Sequence, residues 1–450
     1  MRKKNVKRLT RLAVIIIALG LAYAVAVVLS SAKLRRAYED LSRAGRPMDR
    51  SDVIPAKIPD SENAAPLYES AILLLKAQPV NTERHRSRLA PEKNLLVYLG
   101  DLSEKFMAGE LPSGKRDELQ QLIGQDSVSL AMSIVEQGTQ RPSCRFDHDY
   151  DAGMYMLLTH LGEMRDLTRI LAATICLEAR AGSPDKAWDE VQTQLRLADA
   201  LLDEPVLISQ LVRFRIIERV CRTIRKLCEI APPAEQQSNE VASLLESFDS
   251  IRPMIRAIDS ERLLVGEWAF NLPKSELLRE PDLLDWPDDI LGVVKTYFKP
   301  TFLADRAFYL RMMLKYTERF EHPDSHKGMQ VLDETVETVA ERYPLSRRLI
   351  PAMNRVKQIH NEMLAELRIV RTGLALLQYK QTKDAFPASL EALGLRDVKD
   401  PFSDGPLLYR SERNGFVLYS IGIDKKDNGG SPQQKEQKED WDIVWQFLRN

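Results

Sequence analysis

The stretch CRFDHDYDAG, residues 144–153, carries a dense set of side chains able to do chemistry: Asp147, His148, Asp149 and Asp151. Carboxylates at alternate positions begin like an EF-hand loop, where oxygens at positions 1, 3 and 5 meet a calcium ion. The sixth position of such a loop needs glycine and is Ala152 here; the twelfth needs glutamate and is Leu158. A zinc reading would join His148 to His160, yet no second ligand pair stands at the helical spacing of a zinc site. The expected role of 144–153 is therefore a polar helix start, its carboxylates near the positive end of the helix dipole. His160, in LLTHLGEMR, falls on the core-facing side of a helix and reads as a hydrogen-bonded structural histidine.

Other chemistry is thinly signalled. The chain has no G-x-S-x-G, HExxH, P-loop or G-x-G-x-x-G. His322 and His326 sit in a loop, EHPDSHK, without a defined nucleophile partner. The helix LVRFRIIERVCRTIRKLC places Arg215, Arg219, Arg222 and Lys226 on one face, a stripe that could meet an anionic surface but reads as solvated. Cys144, Cys176, Cys221 and Cys228 form no disulfide framework in a chain of 450 residues. Cys221 and Cys228, seven apart on a helix, lie about 10 Å apart, too far to bridge.

The elements that must position these residues are mostly helical. The first is a span. MRKKNVKRLTR holds six basic residues, and residues 12–32, LAVIIIALGLAYAVAVVLSSA, hold no charge. At about 1.5 Å per residue that run matches the roughly 30 Å of a bilayer core. Three basic residues follow it, so the basic excess lies before the span and predicts a cytoplasmic N-terminus, with everything after residue 33 outside. Ser30 and Ala32 would suit a signal-peptide cleavage site, but the apolar run is longer than a signal core. No later segment reads as a second span. With a net charge of -1, the chain lacks the basic excess of a nucleic-acid binder.

Beyond the span, residues 37–270 read as a helical body. Residues 167–205 form a helical hairpin of the kind stacked in solenoids: Gly182 ends one helix, Ser183 caps the next and Pro184 suits its first turn. Residues 271–352 read as a proline-broken linker with further helices. Residues 353–450 read as a separate module, in which a helix over 353–383 covers two short strands, 407–410 and 416–420, around a turn at Asn414-Gly415. WDIVWQFL returns as a strand or short helix. The fold class is thus mainly α, with an N-terminal transmembrane helix, a solenoid-like body and a small C-terminal α+β module.

The module has a sequence likeness. YKQTKDAFPASLEALGL, KDPFSDGPLLYR, GFVLYSIGIDKKDNGG and DWDIVW, in that order after a long helix, resemble the C-terminal domain of the major pseudopilin of type II secretion. The N-terminus departs from a pilin: it lacks the prepilin Gly-Phe and the glutamate five residues on. The chain as a whole resembles uncharacterised single-pass proteins of planctomycete-type bacteria, in residues 58–71, 157–172, 203–213 and 386–430. That likeness implies a layout and an envelope location, and no activity. The pseudopilin likeness implies a Ca²⁺ site in the acidic loop, with Asp424 at the family aspartate and Asp427 and Asp442 supplying further oxygens. Lys425 and Lys426, inside the loop, oppose it.

The sequence therefore points to a membrane-anchored extracytoplasmic protein in contact with the bilayer through residues 12–32. Its expected role is binding or assembly with an envelope protein, and the alternative is an envelope hydrolase with its site among the helices.

Overall fold

A computed structural model describes residues 2–79, 94–277, 280, 283, 290–321, 325–339, 341–395, 398–403, 405–432 and 441–448. It is mainly helical, with one three-stranded antiparallel sheet near the C-terminus. His322 lies outside the described residues.

The chain divides into two compact units. One comprises residues 1–54, 150–156 and 254–357; the other comprises 55–149, 157–253 and 358–450. These units interleave along the chain, whereas the sequence reading cut it at 36, 270 and 352. Long-range helix contacts, which no local pattern records, decide the difference.

In the first unit, helix Arg2–Arg43 runs without a break from the basic tail through the apolar run. Among the described residues it is the one helix long and apolar enough to cross a membrane. Leu12, Ile16, Leu19 and Leu29 are exposed, while Ala37 and Leu41 are buried against helix Lys299–Glu321. Polar contacts fix this end: the Tyr38 hydroxyl donates to Glu267 at 2.8 Å, and Arg306 pairs with the same carboxylate. Helix Arg252–Ser260 passes into a π-helical turn, Glu261–Gly266. Gly266, at its end, lets Tyr309 pack close, since a Cβ there would lie 2.1 Å from the Tyr309 hydroxyl.

The second unit holds the hairpin. Helices His160–Arg180 and Pro184–Asp199 are joined through Gly182, whose φ of 92° suits a residue without a Cβ. Ser183 occupies the cap position without donating or accepting a side-chain cap bond. Ala187, Val191, Leu195 and Ala198 are buried, as their spacing predicts. Helix Leu207–Ile230 packs on both members, and Leu95–Met107 packs on His160–Arg180. Cys176, Cys221 and Cys228 form no disulfide and are buried among these helices, as small apolar residues would be.

Helix Met353–Lys383 begins in the first unit and continues in the second. Strands β1 (Leu408–Glu412), β2 (Gly415–Ser420) and β3 (Ile443–Leu448) pair in the order β1-β2-β3, so WDIVWQFL returns as a strand. Glu412 pairs with Gly415, so the turn is Arg413-Asn414, one residue earlier than the Asn-Gly signal suggests. Gly415 is needed for a different reason: a Cβ there would strike the Phe447 carbonyl. The helix meets the sheet at Gly373, where a Cβ would fall inside the Trp445 ring. Helix and sheet are also tied to the body: Arg225 of helix Leu207–Ile230 pairs with Glu366 of the long helix at 2.5 Å and donates to the Val444 carbonyl of β3 at 2.9 Å. Buried Asp400, of the KDPF stretch, ties the module's turns: it accepts from Ser420 Oγ at 2.7 Å and from the backbone of Ile421 and Phe402 at 2.9 Å.

Candidate metal centre

Residues 144–149 are extended rather than helical, and 150–155 form 3₁₀ turns; the helix begins only at His160. This corrects the expected helix start. The cause is a clamp on the backbone ahead of His148. Asn63 Oδ1 accepts the Arg145 N–H at 2.8 Å while Asn63 Nδ2 donates to the Arg145 carbonyl at 2.9 Å, and that pairing holds the strand extended. The acidic residues of the stretch turn outward. Asp147 is 84% exposed beside Arg145, and Asp151 is 90% exposed beside Arg50.

His148 turns inward to a partner that spacing does not indicate. His148, His160 and Glu204 bring one ligand atom each to within 4.8 Å of one another. His160 Nε2 lies 2.7 Å from Glu204 Oε1, and His148 Nε2 lies 3.3 Å from the same oxygen. The three side chains are only 4–7% exposed. Phe146 stacks on the His160 ring with centroids 4.2 Å apart. Glu204 occupies the connection after helix Pro184–Asp199, and Gln210 Nε2 pins that connection by donating to the carbonyls of Leu201 at 2.8 Å and Glu204 at 2.9 Å. Burial pushes the Glu204 carboxyl up, but the adjacent His148 and His160 imidazoles outweigh it and hold it at about 2. Burial and the Glu204 charge push the nearby Cys144 thiol up, so it stays a thiol at neutral pH.

His160 is thus buried, as its place on the helix predicts, but it is part of a group. Glu204 is the residue that the sequence reading missed. The only hint was a glutamate between two helices immediately before a proline, in DEP.

The acidic C-terminal loop is arranged otherwise. Gly429 and Gly430 take φ of 69° and 78°, as the turn requires. Asp442 accepts backbone N–H groups from Gly430 at 2.8 Å, Ser431 at 3.3 Å and Asn428 at 3.4 Å. Asp427 accepts from the Tyr419 hydroxyl at 3.0 Å and the Gly429 N–H at 2.9 Å. Asp424 accepts from Asn428 Nδ2 at 2.9 Å and the Lys426 N–H at 3.2 Å. The three carboxylates that the pseudopilin likeness assigns to Ca²⁺ are engaged by donors of the loop and of β2.

Three residues of the basic stripe on helix Leu207–Ile230 pair with carboxylates, and two of them, Arg215 and Arg222, stay 45% exposed. Arg219 and Arg222 reach Glu104, and Arg215 reaches Glu218 at 2.7 Å and Glu362 at 3.4 Å. Burial pushes Glu218 up, Arg215 opposes it, and the carboxyl settles at about 7.

Comparison with protein-family models, with curated proteins and with solved structures finds no match.

Proposed function

We propose that the chain is a membrane-anchored extracytoplasmic protein that binds or assembles with a partner at the cell envelope through its helical surfaces. Helix Arg2–Arg43 carries this reading, because its exposed apolar stretch continues directly into the core of the first unit. Its basic residues favour a cytoplasmic N-terminus. Exposed Val294, Tyr297 and Phe298 add to the apolar surface of the same unit, and the Phe298 ring meets Tyr23 at 5.3 Å. A binding role is favoured over turnover by the burial of the His–Glu group, since catalysis on a substrate needs an accessible cleft. The likeness of the C-terminal module to a pseudopilin supports assembly.

One observation favours the hydrolase alternative. A cavity of about 490 Å³ is lined by Glu178, Lys186, Asp189 and Glu190. Burial, with the adjacent Glu178 charge, raises Glu190, so one carboxyl can keep its proton beside a second that is ionised, as an acid–base pair requires.

The test is crosslinking in intact membranes with mass-spectrometric identification of neighbours, beside a reporter fused after Asn450. A recurrent protein neighbour and reporter activity outside the cytoplasmic membrane are expected. Reporter activity confined to the cytoplasm overturns the orientation, and the lack of any recurrent neighbour overturns the assembly role.

A further inference from the structure

We propose that His148, His160 and Glu204 bind one zinc ion, which fastens three separate segments of the second unit to one another. Two imidazole nitrogens and one carboxylate oxygen are a donor set that zinc takes, with a fourth position left for water. The spacing suits it. Zinc bonds of about 2.0–2.2 Å in a tetrahedron place ligand atoms roughly 3.3–3.5 Å apart, and these three atoms already lie within 4.8 Å of one another.

Hydrogen bonding alone accounts poorly for the arrangement. His160 Nε2 is 2.7 Å from Glu204 Oε1, yet this buried nitrogen lacks a hydrogen-bond partner in acceptable geometry, and so does Glu204 Oε2. Leaving such groups unsatisfied is costly away from water. His148 Nε2 does meet Glu204 Oε1, at 3.3 Å; the misalignment of His160 is what results when its ring addresses a point beside the carboxylate rather than the carboxylate itself. The supports are also those of a metal site. Phe146 fixes the His160 ring, Asn63 fixes the strand that carries His148, and Gln210 fixes the turn that carries Glu204. The three ligands come from before helix His160–Arg180, from its first residue, and from the turn after Pro184–Asp199. An ion there would lock both ends of the hairpin to the strand ahead of it.

The experiment uses the full chain in detergent, purified without chelator. Elemental analysis is expected to find about one zinc per chain, and the stripped protein is expected to regain it stoichiometrically from micromolar Zn²⁺ or take Co²⁺ in its place. X-ray absorption at the zinc edge should show two imidazoles and an oxygen ligand. Glu204→Gln and His160→Gln, whose amides can still hydrogen-bond, should lose the ion, while Asp147→Asn should keep it. Failure of the stripped native chain to take up either ion overturns the proposal. So does an absorption spectrum without imidazole scattering, which decides the matter even where a variant fails to fold. Iron in place of zinc overturns the choice of ion.

Discussion

The group at His148, His160 and Glu204 and the loop at Asp424, Asp427 and Asp442 both offer three metal-capable side chains within the second unit, but their atoms are engaged differently. In the loop, every one of the three carboxylates receives N–H or O–H donors at 2.8–3.4 Å from the loop itself or from β2. In the body, a ring nitrogen and a carboxylate oxygen are buried without such donors. A ligand list therefore says little until the competing donors are counted. Carboxylates flanked by glycines and an asparagine find backbone N–H groups nearby, and the turn closes without an ion. The imidazoles of His148 and His160, on an extended segment and at a helix start, meet a carboxylate that the fold brings from a distant turn.

That contrast can be broken in several places. The largest effect is expected from Glu204→Ala. It strands two buried imidazoles, and removing one member of a buried pair costs about 3–5 kcal/mol. Urea unfolding of the full chain should show it as a lower midpoint; a shift no larger than that of an exposed-site variant would mean that the group holds nothing together.

Asp442→Ala should come next. It removes the acceptor of three backbone N–H groups, each costing about 1–3 kcal/mol if left buried and unsatisfied, less where water replaces it. Hydrogen exchange at Asn428, Gly430 and Ser431 should accelerate selectively. Unchanged exchange there would show that the loop keeps its shape by other means.

Calcium should separate the regions further. Several millimolar Ca²⁺ should raise the melting midpoint of the full chain little, and Asp424→Ala should leave that small response unchanged, because the loop's carboxylates are already engaged. A clear rise that Asp424→Ala abolishes would restore the pseudopilin-like site.

The smallest effect concerns a buried carboxyl outside both regions. Glu218 titrates near 7 in the folded chain against an ordinary value near 4.5. Between those values the folded state holds a proton that the unfolded state has lost, so stability falls as pH rises through that window. Glu218→Gln should flatten this part of the stability–pH curve; an unaltered slope would assign it to other groups.

Local signals carried much of this architecture. Gly182 and Pro184 mark the hairpin turn because each acts on its own backbone, whereas Ser183 holds the cap position without a side-chain bond. The uncharged run of residues 12–32 marks a helix long and apolar enough to cross a membrane, because length and composition alone matter there. The helix over 353–383 follows from its apolar spacing, and β2 from a short strand-like run beside the Asn414-Gly415 turn signal. What local pattern could not show depends on distant partners. Glu204 meets His160 across 44 positions of sequence, and Arg219 finds Glu104 across 115. For the module of residues 353–450, the apolar face of its helix is visible in the sequence, but the ties from Arg225 to Glu366 and from Arg368 to Asp249, at 2.9 Å, are not. The residues 353–450 expressed alone should accordingly give a poorly dispersed amide spectrum.

Helix Arg2–Arg43 has one further consequence, because nothing interrupts it between Leu29, which is exposed, and Ala37 and Leu41, which are buried. The two ends share a rotational phase. An α-helix advances about 100° and about 1.5 Å per residue. One residue inserted after Leu29 would turn the face bearing Lys7 and Arg11 by that angle relative to the face that packs on helix Lys299–Glu321. Seven inserted residues would bring the faces nearly back into register, at the cost of about 10 Å of added height. Any activity that depends on how the first unit is presented to a surface should then fail with one inserted residue and recover in part with seven.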